Sequence, residues 1–488
     1  MSTASIRARS RTGPEDGEKI SVGLILTPLL LGALAYGVLG TVIVPALPLF
    51  QRELHTSENG ATWLLTAYFL SAAASTAVLG RLGDMFGKRR MLLVTLGILI
   101  CGTLVSAMSD SLTGQITGRT LQGVAGGLFP LAFGIIRDEF PPERVASGIA
   151  AVSATLGLGS VGVILPGLIV PHLDWHWLYW IPMILTVIAF VGTWVLVRES
   201  PVRPGGRVNW LNTALMIVGI TAVVLGVSEG GTWGFSSVRT LALLVGGLVV
   251  CGIWVAAEVS SENPLIDMRL MRQRAVWATS LVSFALGAGM YAAFAVYPVL
   301  AQLPKGTGYG ASMLRCGLYL LPMSVGSAIS TPFAERLANR IGAARTLITG
   351  ALIEGAGFGY MAVWSSHPYD MIISLGVMGF GLGFAFPTLM TLTVQSVPAE
   401  QVGETAGMST VVRMIGGAIA TQIVATLISR NQDNGLPNQT GFDASYITLA
   451  AFMVVAALAA LAVRVRRPDS HGAGRVTSEP VPVPERSA

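Results

Sequence analysis

Apolar runs of about 20 residues recur along the whole chain, divided by short polar stretches, and each is long enough to cross ~30 Å of hydrocarbon as a helix. In lipid the backbone must satisfy its own polar groups, so these runs are predicted to be α-helices. Fourteen are expected, at about 22–49, 61–80, 91–109, 112–136, 146–170, 177–197, 209–228, 238–257, 275–302, 315–334, 345–365, 369–395, 404–429 and 446–464. The stretches outside them are short, apart from polar tails at 1–20 and 466–488.

Composition agrees with the pattern. The 488 residues are 52% hydrophobic and 12% charged, with a mean hydropathy of +0.65. A soluble domain carries about 25% charged residues. The basic residues sit in short loops, so a pI near 9.3 points to membrane topology and not to nucleic acid. With an even span count both termini share one side, and that side receives 24 of the 31 Lys and Arg residues. The asymmetry places both termini in the cytoplasm. Three scattered cysteines, Cys101, Cys251 and Cys316, imply neither a disulfide framework nor a metal site. No Walker motif is present, so ATP is not the expected driver, and no cofactor is implied.

The second half repeats the first. RLGDMFGKRR at 81–90 aligns with RLANRIGAAR at 336–345, with Arg81/Arg336, Leu82/Leu337, Gly87/Gly342 and Arg90/Arg345 identical. Further on, Phe129–Pro130 aligns with Phe386–Pro387, and Pro141, Glu143 and Val145 with Pro398, Glu400 and Val402. Parallel repeats of this kind relate the two halves of many transporters. The second span pairs with the tenth, so the seventh and eighth are extra helices inserted between the halves.

The stretch Gly80–Arg90, GRLGDMFGKRR, joins the second and third spans. Gly83 and Gly87 would permit a tight reversal, Asp84 could cap a helix start or meet a cation, and Arg81, Lys88, Arg89 and Arg90 would pin the loop to one face. This stretch resembles the signature loop of the major facilitator superfamily, and with the two extra spans the chain is similar to its 14-span drug:proton antiporter branch. The resemblance implies an all-α polytopic fold of two pseudo-symmetric six-helix bundles plus two inserted helices. The divisions expected are a tail at 1–20, an N-terminal bundle at 21–200, the inserted pair at 201–260, a C-terminal bundle at 261–465 and a tail at 466–488.

Charged groups inside a membrane need a reason. Arg119, Gln122, Gly123, Gly126, Gly127 and Pro130 fall on one face of a helix, polar at one end and small at the other. Small residues allow close helix approach. The R-x-x-Q-G pattern resembles the family's span 4 motif, which implies a link between Arg119, Gln122 and proton coupling. GVILPG at 162–167 resembles the branch's bend motif in degraded form, with the glycine–proline hinge carried by Gly159, Gly162, Pro166 and Gly167. Near DWHW at 174–177, His176 stands where that branch has arginine. In the first span Leu39 stands where the branch often has aspartate, so a cation site built on that acid is missing and neutral or zwitterionic amphiphiles become better candidates.

Glu354 is the one acid near the middle of a span and is a candidate proton carrier. Its repeat partner is Leu99, and that of Arg119 is Gly376, so the fold itself requires neither charge. Arg413 resembles a recurrent arginine of the branch and is a further coupling candidate, with packing and gate stability as its first expected task and substrate contact as the alternative. The resemblance places a substrate cavity on spans 1, 4, 9 and 12, where the candidate lining is Tyr36, Phe129, Tyr291, Phe294, Tyr297, Phe380, Phe384 and Phe386. The expectation is a cell-membrane exporter of amphipathic drugs or antibiotics, exchanging them for protons and acting as a monomer. A dedicated exporter of a self-made metabolite or lipid is the alternative. A polytopic membrane enzyme is disfavoured, because only five histidines are present and no large interfacial loop could group them with acids.

Overall fold

The computed structural model describes residues 22–199, 209–261, 264, 268–395, 402–433 and 436–463. The expected tails and the linkers at 200–208, 262–263, 265–267 and 396–401 lie outside them.

The described chain is almost wholly helical between short loops, with one hairpin of two-residue strands. In order, the helices are α1 (Val22–Thr41), α2 (Leu47–Glu53), α3 (Glu58–Phe86), α4 (Lys88–Ala107), α5 (Leu112–Gly123), α6 (Leu128–Glu139), α7 (Pro142–Gly159), α8 (Leu165–Ile169) and α9 (Trp177–Leu196). There follow α10 (Trp210–Trp233), α11 (Val238–Ser260), α12 (Arg274–Gln302), α13 (Met313–Ile341), α14 (Ala343–Val363), α15 (Pro368–Gln395), α16 (Val402–Arg430) and α17 (Gln439–Leu461). Strands β1 (Gln432–Asp433) and β2 (Leu436–Pro437) pair between the last two helices. Helix starts are read from the sequence by polar caps: Ser57, Ser111, Asn209, Ser237, Ser312 and Asn438 each accept a backbone N–H from the first turn.

Among the described residues, twelve helices are long and apolar enough to span a membrane. The other two expected spans correspond to α7–α8 and α13. The first is broken by a 3-10 turn at Ser160–Val163; the second is 29 residues long and carries Arg315, Glu335, Arg336 and Arg340 together with Pro322 and Pro332. The fourteen-span expectation is thus met for twelve.

The first nine helices pack mainly on each other, with α1 against α7 and α9, and α4 against α5 and α9. From α12 onward, α12 packs on α16 and α17, α13 on α15, and α14 on α15 and α17. The seam between the two groups is made chiefly by α3 on α16, and α10 lies across it, touching both.

The stripe from Gly123 to Pro130 shows how small residues set these distances. An added Cβ would lie 2.4 Å from the Tyr68 carbonyl at Gly123, 2.9 Å from the Ala72 carbonyl at Gly126 and 2.4 Å from Leu79 at Gly127. All three glycines press on α3, and Pro130 packs against Gly80 on the same helix. The helix is not continuous there, as the even spacing would suggest. It tightens into a 3-10 turn at Val124–Gly127 between α5 and α6.

Candidate functional site

The Gly80–Arg90 stretch is a shorter loop than its glycines suggest. Helix α3 continues to Phe86 and α4 begins at Lys88, so the reversal rests on Gly87 alone, at φ 104°. Gly83 is helical; its carbonyl accepts the Gly87 N–H at 3.0 Å, and its missing side chain admits Leu131. The Glu199 carboxylate accepts the backbone N–H groups of Arg89 and Arg90, both at 3.2 Å, and so caps α4. Arg90 Nε also lies 3.7 Å from Glu199, and Arg89 donates to the Trp194 carbonyl. Lys88 is buried and paired with Asp138 of α6 at 2.5 Å. Arg81 and Asp84 are half-buried. Among the described residues Asp84 makes no ion pair or hydrogen bond.

Arg119 is fully buried. Its guanidinium donates to the Leu64 carbonyl at 2.9 Å, the Leu39 carbonyl at 2.8 Å and Gln122 Oε1 at 2.7 Å, and stacks over the Tyr68 ring at 4.2 Å. Gln122 in turn reaches Ser106 on α4. One cation therefore ties α1, α3 and α5 together through neutral acceptors. The hinge glycines also meet α1: Gly159 sits against Gly37, and its carbonyl accepts the Thr41 hydroxyl at 2.6 Å. Gly162 faces Thr41 and Val38. Buried Pro166 and Gly167 lie in α8, where Gly167 touches the α13 backbone at Leu314.

Tyr36, Phe129 and Tyr291 are brought together. Tyr36 stacks on Tyr68 (5.3 Å) and meets Phe129 edge-on (5.8 Å); Phe69 lies 5.7 Å from Tyr68 and 4.2 Å from Tyr291 across the seam. Tyr68 and Phe69 were not among the sequence candidates. The available signal was a tyrosine in an apolar run, whose hydroxyl needs a partner; it donates to the Tyr36 carbonyl. Phe294 is half-buried against the same core. Phe386 lies under the Arg413 guanidinium at 4.7 Å. Phe384 stacks edge-on with Phe380, which is exposed on α15. Tyr297 lies elsewhere, buried within the second group of helices against Ser374 and Tyr446.

Glu354 and Arg413 are both buried, on opposite sides of α12. Arg413 of α16 faces Gly287, whereas Glu354 Oε1 of α14 faces Gly289. Two positions are about 200° apart on a helix. Neither Glu354 oxygen, nor Nε or Nη1 of Arg413, has a hydrogen-bond partner among the described residues.

Among the described residues the hydrogen bonds across the seam lie away from the Gly87 and Gly342 turns. Gln302 donates to the Pro45 carbonyl at 2.6 Å, Gln422 donates to Thr66 at 2.8 Å, and Gly317 closes on the Val163 carbonyl. Trp63 of α3 donates to Ser228 of α10, and Thr426 of α16 to the Val227 carbonyl, so α10 bridges the seam at the same end. Also at this end, His176 links Asp110 (3.2 Å) and Asp174 while stacking on Trp175.

The chain is 25% identical over 437 residues to the multidrug resistance protein B homolog of Mycobacterium tuberculosis, covering 86% of this chain and 79% of that protein. It is 26% identical over 427 residues to the tetracenomycin C resistance and export protein of Streptomyces glaucescens, covering 84% and 78%. Among solved structures, a peptide transporter of the POT family in complex with sulfate superposes with a TM-score of 0.67 at 17% identity, covering 92% of this chain and 96% of that one. The nucleoside transporter NupG gives 0.64 at 13%, covering 90% and 99%. These likenesses establish the fold. The family model described as Major Facilitator Superfamily matches residues 29–421 and again 279–487. This multi-pass helical membrane protein, built to carry a small molecule, belongs to the Major Facilitator Superfamily.

Proposed function

We propose that the chain is a secondary active exporter of lipophilic and amphipathic drugs or antibiotics, driven by protons and working by alternating access as a monomer in the cell membrane. Residues 21–200 and 261–465 are the two moving halves, 201–260 the inserted pair, and both termini are cytoplasmic. The observation that carries this reading is the seam: aromatic in its middle and held shut at the end away from Gly87 and Gly342. A carrier facing the side of those turns would be held in this way. The names of the relatives, multidrug resistance and antibiotic export, support drugs as cargo.

In this reading Glu354 takes up and releases the proton, and α12 passes its change of charge to the seam. Arg119, held by neutral acceptors, positions α1, α3 and α5. Asp84 latches the turn face when the halves rock the other way. The test is dye transport in inverted membrane vesicles, with and without a proton uncoupler. Wild-type transport should collapse on uncoupling, and Glu354→Gln should bind dye yet lose proton-driven transport. Uncoupler-insensitive transport in wild type would overturn proton coupling.

A further inference from the structure

Arg413 is 6% exposed. Among the described residues it makes no hydrogen bond or ion pair, and its guanidinium meets only the Phe386 ring at 4.7 Å. A buried cation without an acceptor is strongly disfavoured unless a ligand or water supplies one. Among the described residues no acid fills that role. Glu354 is held behind α12, and position 39 on α1 is leucine.

The surroundings of Arg413 are aromatic and face the seam. Gly287 and Tyr291, four residues apart, share a face of α12, and Arg413 and Gly417 do the same on α16. Gly287 lies against Arg413, and the Tyr291 ring lies on Gly417. Tyr291 in turn touches Phe69 of the other half. Arg413 is also within electrostatic reach of Tyr36, the centre of the aromatic cluster on the opposite side. A guanidinium with unused donors beside a set of π faces fits one chemical class: a flat aromatic ring system carrying a negative oxygen.

Resting on the exporter reading above, we propose that Arg413 is an anion-accepting subsite and that the preferred cargo is aromatic organic acids, as carboxylates or ionised phenols. The negative oxygen takes the Nε and Nη1 donors, and the rings lie among Tyr291, Phe69 and Phe386. Arginine suits this role because its fork meets a carboxylate in a fixed plane.

The experiment uses three probes sharing one ring system: naphthoate, naphthamide and naphthylmethylammonium. Each competes with a neutral dye for the purified full chain, and each is followed for export in inverted vesicles. Wild type should bind naphthoate about tenfold more tightly than the cation, the scale of one charge-assisted hydrogen bond. Arg413→Gln should lower naphthoate binding until the preference is gone, and Arg413→Lys should keep part of it. An unchanged preference in Arg413→Gln overturns the proposal. So does a wild type that binds the cation as well as naphthoate, a result that needs no variant to fold. If wild type moves the neutral dye in an uncoupler-sensitive way but shows no anion preference, only the subsite fails. If it moves no dye at all, the exporter reading fails first.

Discussion

The turns at Gly87 and Gly342 have nearly the same backbone and quite different surroundings. Their φ/ψ values are 104°/132° and 92°/145°, and each glycine N–H closes on the carbonyl four residues back, at 3.0 and 2.9 Å. A Cβ at Gly87 would strike Glu199 at 2.4 Å; one at Gly342 would meet nothing within 4 Å. Lys88 and Arg89 follow the first glycine, Ala343 and Ala344 the second. Both turns need a left-handed glycine to reverse two long helices in one residue. The charges that bolt α4 to α6 and to the Glu199 segment belong to the first turn only. The fold thus supplies the geometry twice, and the chemistry was added to one copy.

That contrast breaks most severely at Lys88. Its pair with Asp138 is buried, with side-chain exposures of 5% and 8%. Removing one partner of such a pair strands the other charge, at about 3–5 kcal/mol. Lys88→Ala should therefore lower the thermal midpoint in detergent by more than any other single change at either turn. Lys88→Met combined with Asp138→Leu should recover most of the loss, because the stranded charge goes too. At the second turn, Ala343→Ser should leave the midpoint near wild type.

Next in size is the pair Gly87→Ala and Gly342→Ala. Each places a side chain at positive φ, which is disfavoured by about 1–3 kcal/mol. Only Gly87→Ala adds a clash with the capping carboxylate, so its midpoint should fall further. Equal losses would mean that Glu199 swings away freely. Smaller again is Glu199→Gln, which keeps the shape of the cap and removes its charge from the start of α4. About 1 kcal/mol is expected from cap and helix-dipole terms, and the loss should shrink in high salt, since Arg90, at 67% side-chain exposure, is screened by solvent.

The comparison also marks what could be read in advance. Span positions followed from apolar run length, because lipid imposes it on every helix. The repeat gave the two turns together. The glycine stripe on α5–α6 announced a close approach, but not that α3 would fill it. Lys88 meets Asp138 from 50 positions away, and Arg89 meets Glu199 from 110 away. Pairings at such distance depend on which helices become neighbours, and charge alone does not reveal that. Tyr68 and Phe69 were missed for a related reason: the aromatic cluster is completed by α3, a helix read for its turn and not for its middle. Glu354 and Arg413 stood out as charges within apolar runs, yet only the packing of α12 separates them onto opposite faces.

The smallest effect on stability is expected at Asp84, and it bears most directly on the proposed motion. Asp84 sits beside Lys88, Arg89 and Arg90, yet in this state those three are engaged by Asp138, the Trp194 carbonyl and Glu199, and among the described residues the aspartate is left without a partner. Asp84→Asn should then move the thermal midpoint hardly at all, within the ~0.5 kcal/mol typical of a side chain outside any network. Export should nonetheless fail in inverted vesicles, because the proposed role of the carboxylate is to hold the turn face shut after the halves rock. The two readings have to be taken on the same preparation. A variant that is both stable and active would show that Asp84 latches nothing. A variant that is inactive because it is unstable would show that the carboxylate already serves the present state, against the geometry. A stable, inactive protein that still binds dye would place the requirement in the state not seen here, and there the two turns cease to be alike in function as they already are in charge.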